Sequence, residues 1–486
     1  MLHVPALLRR SIITCFAVSI PISGVAQGPA IEWTTLPIRA GEGQREVPFG
    51  RLRVPENHAE PDGPAITLAF VRLPSTSARP GPPLIYLAGG PGGSAIGEAA
   101  IPYLFSLFEA LRAVGDVILL DQRGTGRSSP NLSCRGETAP PLDLFLSEAT
   151  LRAHLRRGIE ACAELQRVRQ VRAQYYTTSQ SADDIEAVRR ALGAERIRLL
   201  GFSYGTHLGL SVIRRHGDRI ERAVLAGVEG PDHSEKWPSV MDLQLERLAQ
   251  YAREDTTVGR LAPDLVGTLR TLLDRLEREP ARVPSTDQPA ASQLVVGRAG
   301  FQYLLYRDLG DTNDWPILPG LIVTAANGEY GLLGQFARRR WNQHRGTSLM
   351  SAAMDCASGA SPERRAQVVR EAATALLGNL MNYYDDGACR AAGAADLGPE
   401  FRSRIWSKVP TLFVSGTLDS QTPPHQAEEV RWGFPRGVHL VVGNAGHEST
   451  LNAPEVVSVI ITFLRGEDLT DRRIDLPRPA FRGPRR

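Results

Sequence analysis

The stretch Leu199-Leu200-Gly201-Phe202-Ser203-Tyr204-Gly205-Thr206 decides the fold. The apolar run from Ile197 to Leu200 predicts a buried strand, and His207 to Ile213 predicts the start of a helix. A strand that turns sharply into a helix crowds the turn residue against its neighbours. Glycine two positions before and two positions after Ser203 removes the side chains that would collide. The serine is then held at a tight elbow, hydroxyl exposed, close to the helix N-terminus. This is the mechanical logic of a G-x-S-x-G nucleophile elbow. A glycine-flanked serine in an ordinary strand–helix turn has the same five residues, so the remaining chemistry must be found elsewhere in the chain.

Working outward, apolar strands alternate with helices. Pro83 to Leu87 and Val117 to Leu120 read as strands. Ser181, with Asp184 three residues on, predicts a capped helix through Ile185, Val188 and Leu192 that Gly193 ends. Ile197 to Leu200 and Arg222 to Ala226 continue the strand series, and Thr411 to Val414 and Val438 to Val442 resume it. Such alternation predicts a mostly parallel sheet with helices on both faces. Before it, Glu46 to Val54 and Ile66 to Leu73 predict an antiparallel pair joined by the Pro/Gly-rich Pro55 to Pro64. Between Pro231 and Arg404 the rhythm breaks into helical patterns, among them Leu265 to Leu273 and Ala366 to Leu380, with one strand-like piece at Gln293 to Val296. The predicted organisation is a signal segment over 1–26, a first core part over 27–230 and a helical insertion over 231–404. A second core part over 405–468 and a loosely packed Arg/Pro-rich tail over 469–486 follow.

An elbow serine needs a base, an orienting acid and donors for the oxyanion. Asp419 stands just past the strand Thr411 to Val414, and His447 just past Val438 to Val442. Both therefore belong at the C-terminal edge of the sheet, where the elbow emerges and where open α/β sheets bind ligands. His447 would take the serine proton, and Asp419 would fix its tautomer and stabilise the imidazolium. His439 lies inside a strand and His425 only six residues after Asp419, so both fit less well. The loop Ala88-Gly89-Gly90-Pro91-Gly92-Gly93-Ser94 lets backbone approach a substrate carbonyl, which points to the Gly90 and Tyr204 amides as the oxyanion hole. A phosphate-binding loop would need a following G-K-[ST], which is missing.

Composition bounds the rest. At 486 residues the chain is too long for one simple core, and 42% hydrophobic with 22% charged residues is that of a soluble globular protein. A net charge of +3 does not argue for nucleic acid or a membrane surface as partner. Lysine occurs only at Lys236 and Lys408. Arg9 and Arg10, the short apolar run Ile12 to Ile22 and the small residues Gly24-Val25-Ala26 predict an export signal cleaved before Gln27, with the twin-arginine route open. The run is too short to span a bilayer and contains Pro21. Thr14 before Cys15 argues against lipidation. Cleavage leaves Cys134, Cys162, Cys356 and Cys389, an even set that predicts disulfides between the local pairs, Cys134–Cys162 and Cys356–Cys389. Four buried thiols are the alternative. No spacing resembles a metal site, and no cofactor is expected.

The chain resembles the α/β-hydrolase peptidases that include proline iminopeptidase and, more closely, the secreted bacterial tripeptidyl aminopeptidases. The resemblance rests on Gly89-Gly90-Pro91-Gly92-Gly93-Ser94, Asp121-Gln122-Arg123-Gly124-Thr125-Gly126-Arg127-Ser128, the elbow, Asp419 and Gly446-His447. Within the insertion it extends to Asn313-Asp314-Trp315-Pro316 and to Cys356 with Cys389. It implies a helical cap over the site and release of residues from peptide N-termini. Ala88, Glu448 and Ser358 depart from the family pattern; an acidic residue is often found two positions after the first cap cysteine, where Ser358 stands. An exopeptidase needs an anion for the substrate's ammonium, and Glu229 and Asp355 are the candidates, each with a surface or capping role as the alternative. The leading expectation is an exported aminopeptidase on short peptides. A carboxylesterase or amidase using the same triad is the first rival, and a catalytically inactive binding protein of this fold is the second.

Overall fold

Ten strands build one sheet in the computed structural model, which describes residues 30–40, 43–135, 139–285 and 292–483. They are β1 (Glu32–Ala40), β2 (Gly43–Pro55), β3 (Ala65–Leu73), β4 (Gly81–Leu87), β5 (Gly115–Asp121), β6 (Ile197–Phe202), β7 (Ile220–Ala226), β8 (Thr411–Gly416), β9 (Gly437–Gly443) and β10 (Arg472–Asp475). Their spatial order is β1-β2-β3-β5-β4-β6-β7-β8-β9-β10. The first three pair antiparallel, as does β3 with β5, and every pairing from β5 through β4 to β10 is parallel. The expected pair at Glu46 to Val54 and Ile66 to Leu73 is β2 and β3; β1 adds a third strand to it.

A parallel sheet with both faces covered needs continuous apolar strands, and every residue of β6 is buried. Alternate side chains feed opposite cores. Leu199, Ala223 and Leu225 pack on one side, Leu200, Val224 and Ala226 on the other. The sheet therefore has two hydrophobic layers, each closed by helices.

Between β7 and β8 the chain leaves the sheet for a mainly helical insertion with its own core, built around Leu245, Leu269, Phe301, Trp315 and Leu321. Leu144, Phe145 and Leu151, which precede the elbow, join that core, while Ile159 and Cys162 of the same helix, Glu148–Val168, pack into the sheet core, so the helix bridges the two. The expected strand Gln293–Val296 is present and pairs with Ala281–Pro284. Cys134 is bonded to Cys162 and Cys356 to Cys389, the two local pairings. The second bridge joins helices Leu349–Ser358 and Asp386–Ala392 within the insertion.

Three local expectations are corrected. Ser181 does not cap its helix, which spans Thr178–Ala191; the Thr177 hydroxyl accepts from Gln180 N–H and starts it one turn earlier. The helix expected over Ala366 to Leu380 is Pro362–Ala372, begun by the Ser361 cap. Beyond it, Thr374 N–H turns to the Glu371 carbonyl and the Asp242 carboxylate accepts the amides of Leu376 and Leu377. The tail is not loose through Phe481: β10 pairs parallel with β9, Phe481 is buried in the insertion's core, and Arg482 N–H reaches the Pro316 carbonyl at 2.8 Å. An edge strand whose side chains mostly face water carries no hydrophobic alternation, so Arg472–Asp475 is silent in the sequence. The signal segment with Cys15, and residues 484–486, lie outside the described residues. Among those described, no helix is long and apolar enough to cross a membrane.

Candidate active site

Ser203 follows β6 directly and carries φ 55° and ψ −126°. A non-glycine residue in that region holds about 1–3 kcal/mol of strain, which the surrounding packing must over-determine. The flanking glycines show why it persists. A β-carbon on Gly201 would stand 2.5 Å from the Gly205 carbonyl oxygen, and one on Gly205 would stand 1.9 Å from that of Leu87. The helix Tyr204–His216 packs too closely on β4 and β6 for any side chain at either position.

Past β8, the Asp419 carboxylate is fixed from three directions. Its Oδ1 accepts the amides of Gln421 (2.8 Å) and Thr422 (2.9 Å), and its Oδ2 accepts the Thr422 hydroxyl at 2.6 Å. The same Oδ2 lies 2.8 Å from His447 Nδ1, and His447 Nε2 lies 2.9 Å from Ser203 Oγ. Thus three strand ends deliver one continuous serine–imidazole–carboxylate chain. Burial disfavours the Asp419 anion, but the charge and hydrogen bond of His447, with Thr422, hold its pKa below 3.8. Burial likewise opposes the imidazolium of His447, yet Asp419, and after it Glu448, raise its pKa above 6.5. The competing histidines are occupied elsewhere. His439 bonds Ser415 and Glu428 beneath the sheet, and His425 stacks on Trp237 with centroids 5.6 Å apart.

The glycine loop lies across from the elbow. A β-carbon on Gly89 would meet Ser203 Cβ at 3.0 Å. Among the described residues, neither the Gly90 nor the Tyr204 backbone N–H donates to any group, so both stay available for an incoming oxygen. Two contacts hold that loop. Asp121 Oδ1 accepts the Ser94 hydroxyl (2.8 Å) and Ile96 N–H (3.1 Å), while its Oδ2 accepts Arg127 N–H (2.7 Å). From the insertion, the Ser351 hydroxyl donates to the Pro91 carbonyl at 2.6 Å. The two glycine-containing motifs are therefore halves of one device, joined through Asp121.

The two amine-anchor candidates sit differently. Glu229 is buried and its Oε2 is 2.5 Å from Lys236 Nζ, so its charge is already paired; burial works against that charge, but Lys236 and His207 hold its pKa below 4.5. Asp355 lines a cavity of about 460 Å³ with Tyr383, Tyr384 and the Cys356–Cys389 bridge. Its carboxylate has no hydrogen-bond partner among the described residues. Burial, and then the nearby charge of Glu229, push its pKa well above 3.8. Ser203, Asp419 and His447 do not line this cavity. Its link to the elbow is helix Leu349–Ser358, where Met354 receives the Tyr204 hydroxyl. Ser358 turns away into the core, its hydroxyl 2.9 Å from His207 Nε2.

Sequence reasoning did not find Thr422, Asp121's bridging role, Ser351 or Lys236. The Asp-x-x-Thr spacing from Asp419 is a turn signal that would have pointed to Thr422. No cluster able to hold a metal ion occurs among the described residues.

A doubly covered parallel sheet with a strained serine at one strand end and an acid and histidine at two others defines an α/β hydrolase. Residues 82–454 match the family model described as the alpha/beta hydrolase fold, and the chain belongs to that family. It is similar to the protein named Serine protease Hip1 of Mycobacterium tuberculosis, 29% identical over 217 residues, which cover 42% of this chain and 41% of that protein. It is similar also to the Tripeptidyl aminopeptidase of Streptomyces lividans, 33% identical over 205 residues (40% and 37%). A third relative is Carboxylesterase B of Mycobacterium tuberculosis, 32% identical over 213 residues (44% and 36%). The chain thus spans about two fifths of the length of these relatives.

Proposed function

We propose that this protein is an exported serine peptidase that cuts short peptides near their free N-terminus. The observation that carries the reading is the chain of contacts from Ser203 through His447 to Asp419 at a strained elbow, facing two unengaged amides. In the proposed reaction His447 Nε2 takes the Ser203 proton as Oγ attacks the scissile carbonyl. The oxyanion is received by Gly90 and Tyr204 N–H. His447 then gives the proton to the leaving amine, and an acyl-serine remains. Water, activated by the same imidazole, releases the acyl group. Residues 231–404 act as a cap, and the cavity at Asp355 receives the substrate's ammonium, which supplies the partner that carboxylate lacks. Two disulfides and the apolar, arginine-led N-terminal segment support export.

The test is a panel of free and N-acetylated tri- to pentapeptide amides and simple esters, run on the wild type and on Ser203→Ala. Turnover of free peptides well above acetylated ones, lost in Ser203→Ala, supports the reading. Ester turnover with no peptide cleavage moves the protein to the carboxylesterases, and no Ser203-dependent turnover of any substrate rejects catalysis.

A further inference from the structure

The end of the sheet opposite the catalytic edge carries a basic hollow of about 720 Å³. It opens beside the N-terminal ends of β7 and β8 and is lined by Arg196, Arg214, Arg215, Arg222, Lys408 and Arg436. Its two carboxylates are engaged, Asp218 by Arg219 at 3.2 Å and Glu221 by Arg198. Three of the cations are engaged as well. Arg215 meets Asp183 at 2.6 Å, Arg196 meets the Ile220 carbonyl at 2.9 Å, and Arg214 holds the carbonyls of Glu400 and Ser403. The side chains of Arg222, Lys408 and Arg436 make no hydrogen bond or ion pair among the described residues. Arg222 rests on the Phe463 ring at 5.2 Å and is destabilised as a cation by burial and by the like charges of Arg436 and Arg198, despite Glu221.

Beside these cations the surface is apolar where water should favour polar groups. Trp406, in the lining of the hollow, is 72% exposed. Trp432 is 74% exposed, and its chain segment adjoins that of Trp406, since Ser407 N–H reaches the Gly433 carbonyl at 3.0 Å. Open indoles next to unpaired cations match a bilayer interface. Indole rings settle at the headgroup level, and Lys and Arg near an anionic leaflet are attracted to its surface. The adjoining hollow, which shares Arg222 and Arg436, is lined by Glu467, Asp468 and Asp471, the last paired with Arg431 at 3.1 Å, so the face without carboxylates left over is the Trp406–Lys408 side.

We propose that this face docks peripherally on an anionic phospholipid bilayer. Lipid phosphates lie between Arg222, Lys408 and Arg436, and the Trp406 and Trp432 indoles sit among the headgroups. Docking at this end leaves the edge with Ser203, Asp419 and His447 turned away from the membrane and open to solute.

Co-sedimentation of the full mature chain with phosphatidylcholine vesicles, with and without phosphatidylglycerol, tests this. Binding is expected only with phosphatidylglycerol and is expected to weaken at high salt, since the attraction is screened. Lys408→Gln and Arg436→Gln are each expected to weaken it about fivefold, the equivalent of about 1 kcal/mol per cation. Trp406→Ala and Trp432→Ala should weaken it further, and lipids brominated near the headgroup should quench wild-type tryptophan fluorescence. All four variants should keep the wild-type melting temperature and ester turnover, which separates docking from misfolding. Failure to sediment with anionic vesicles, equal sedimentation with neutral ones, or variants that bind like wild type would each overturn the proposal. Binding of inorganic phosphate without vesicle binding would also overturn it and leave only a small-anion site.

Discussion

His447 Nε2 stands 2.9 Å from Ser203 Oγ, although 244 residues separate them in the chain. Only the parallel sheet brings them together, by ending β6 and β9 at one edge. Replacing the hydroxyl removes the proposed nucleophile but leaves the strained backbone and its glycine contacts. Ser203→Ala should therefore stay folded and lose several orders of magnitude in kcat, with the residue from binding and the amides alone. A fluorophosphonate should label Ser203, located by peptide mapping. A label on another serine rejects the assignment.

The acid side of the pH profile follows from the His447 environment. As the proposed base, His447 works only when neutral, so activity should rise as pH increases through its pKa. Burial pulls that pKa down, but Asp419 and then Glu448 raise it above 6.5, so the acid limb of kcat/KM should have its midpoint above 6.5. Glu448→Gln removes one of the raising charges and should move the midpoint down, with little change on the plateau. Asp419→Asn should cost about ten-thousand-fold, because the favoured tautomer is then wrong. A wild-type midpoint below 6.5, or no movement in Glu448→Gln, contradicts this reading of the site.

Asp121 ties the loop bearing Gly90 to the turn bearing Arg127 through three hydrogen bonds. Without its carboxylate, the glycine loop loses its anchor and the Gly90 amide its aim. Asp121→Ala is expected to lower kcat for a simple ester by about a hundredfold, the scale of one lost oxyanion donor. KM should change far less. Unchanged kcat in a folded variant would show that the loop holds its position without Asp121.

Arg123 serves stability. Its fully buried guanidinium donates to both Asp184 oxygens at 2.7 Å and to the carbonyls of Glu56 (2.6 Å) and Tyr175 (2.8 Å). Breaking a buried pair strands one charge, at about 3–5 kcal/mol. Asp184→Ala should show that loss in urea unfolding, with near-normal kcat at low temperature. A loss below about 1 kcal/mol, the level of an exposed pair, argues that Arg123 is held by the carbonyls alone.

These cases show what the residues disclose by themselves. The elbow, Asp419 and His447 are legible because each follows a strongly apolar strand and because parallel topology sends strand ends to one edge. Asp121 and Arg123 are legible only as a motif: their partners Ser94, Ile96, Asp184 and Glu56 are distant in sequence, and no periodicity connects them. Arg472–Asp475 carries no pattern, since a short edge strand mostly facing solvent has no apolar side to reveal it. Helix Glu148–Val168 reads as part of the core by position, yet Leu151 packs into the insertion. Packing of that kind depends on which surfaces meet, which local sequence does not encode.

In the proposed reading, N-terminal selectivity turns on Asp355. Burial and the neighbouring Glu229 charge favour its protonated form. A substrate ammonium bound there would reverse that balance by pairing with it, and N-acetylation would remove the pairing. For a close charge pair the loss is about 2–5 kcal/mol, so kcat/KM for acetylated peptides should fall at least tenfold to a hundredfold. Asp355→Asn should collapse the ratio between free and acetylated peptides by slowing the free ones. Glu229→Gln should act differently, because it strands Lys236 Nζ, now 2.5 Å from the carboxylate, and should lower the melting temperature before it alters selectivity. If Glu229→Gln alone abolishes the preference, the ammonium sits at Glu229. Equal turnover of free and acetylated peptides by the wild type would instead remove the exopeptidase reading while leaving the serine chemistry intact.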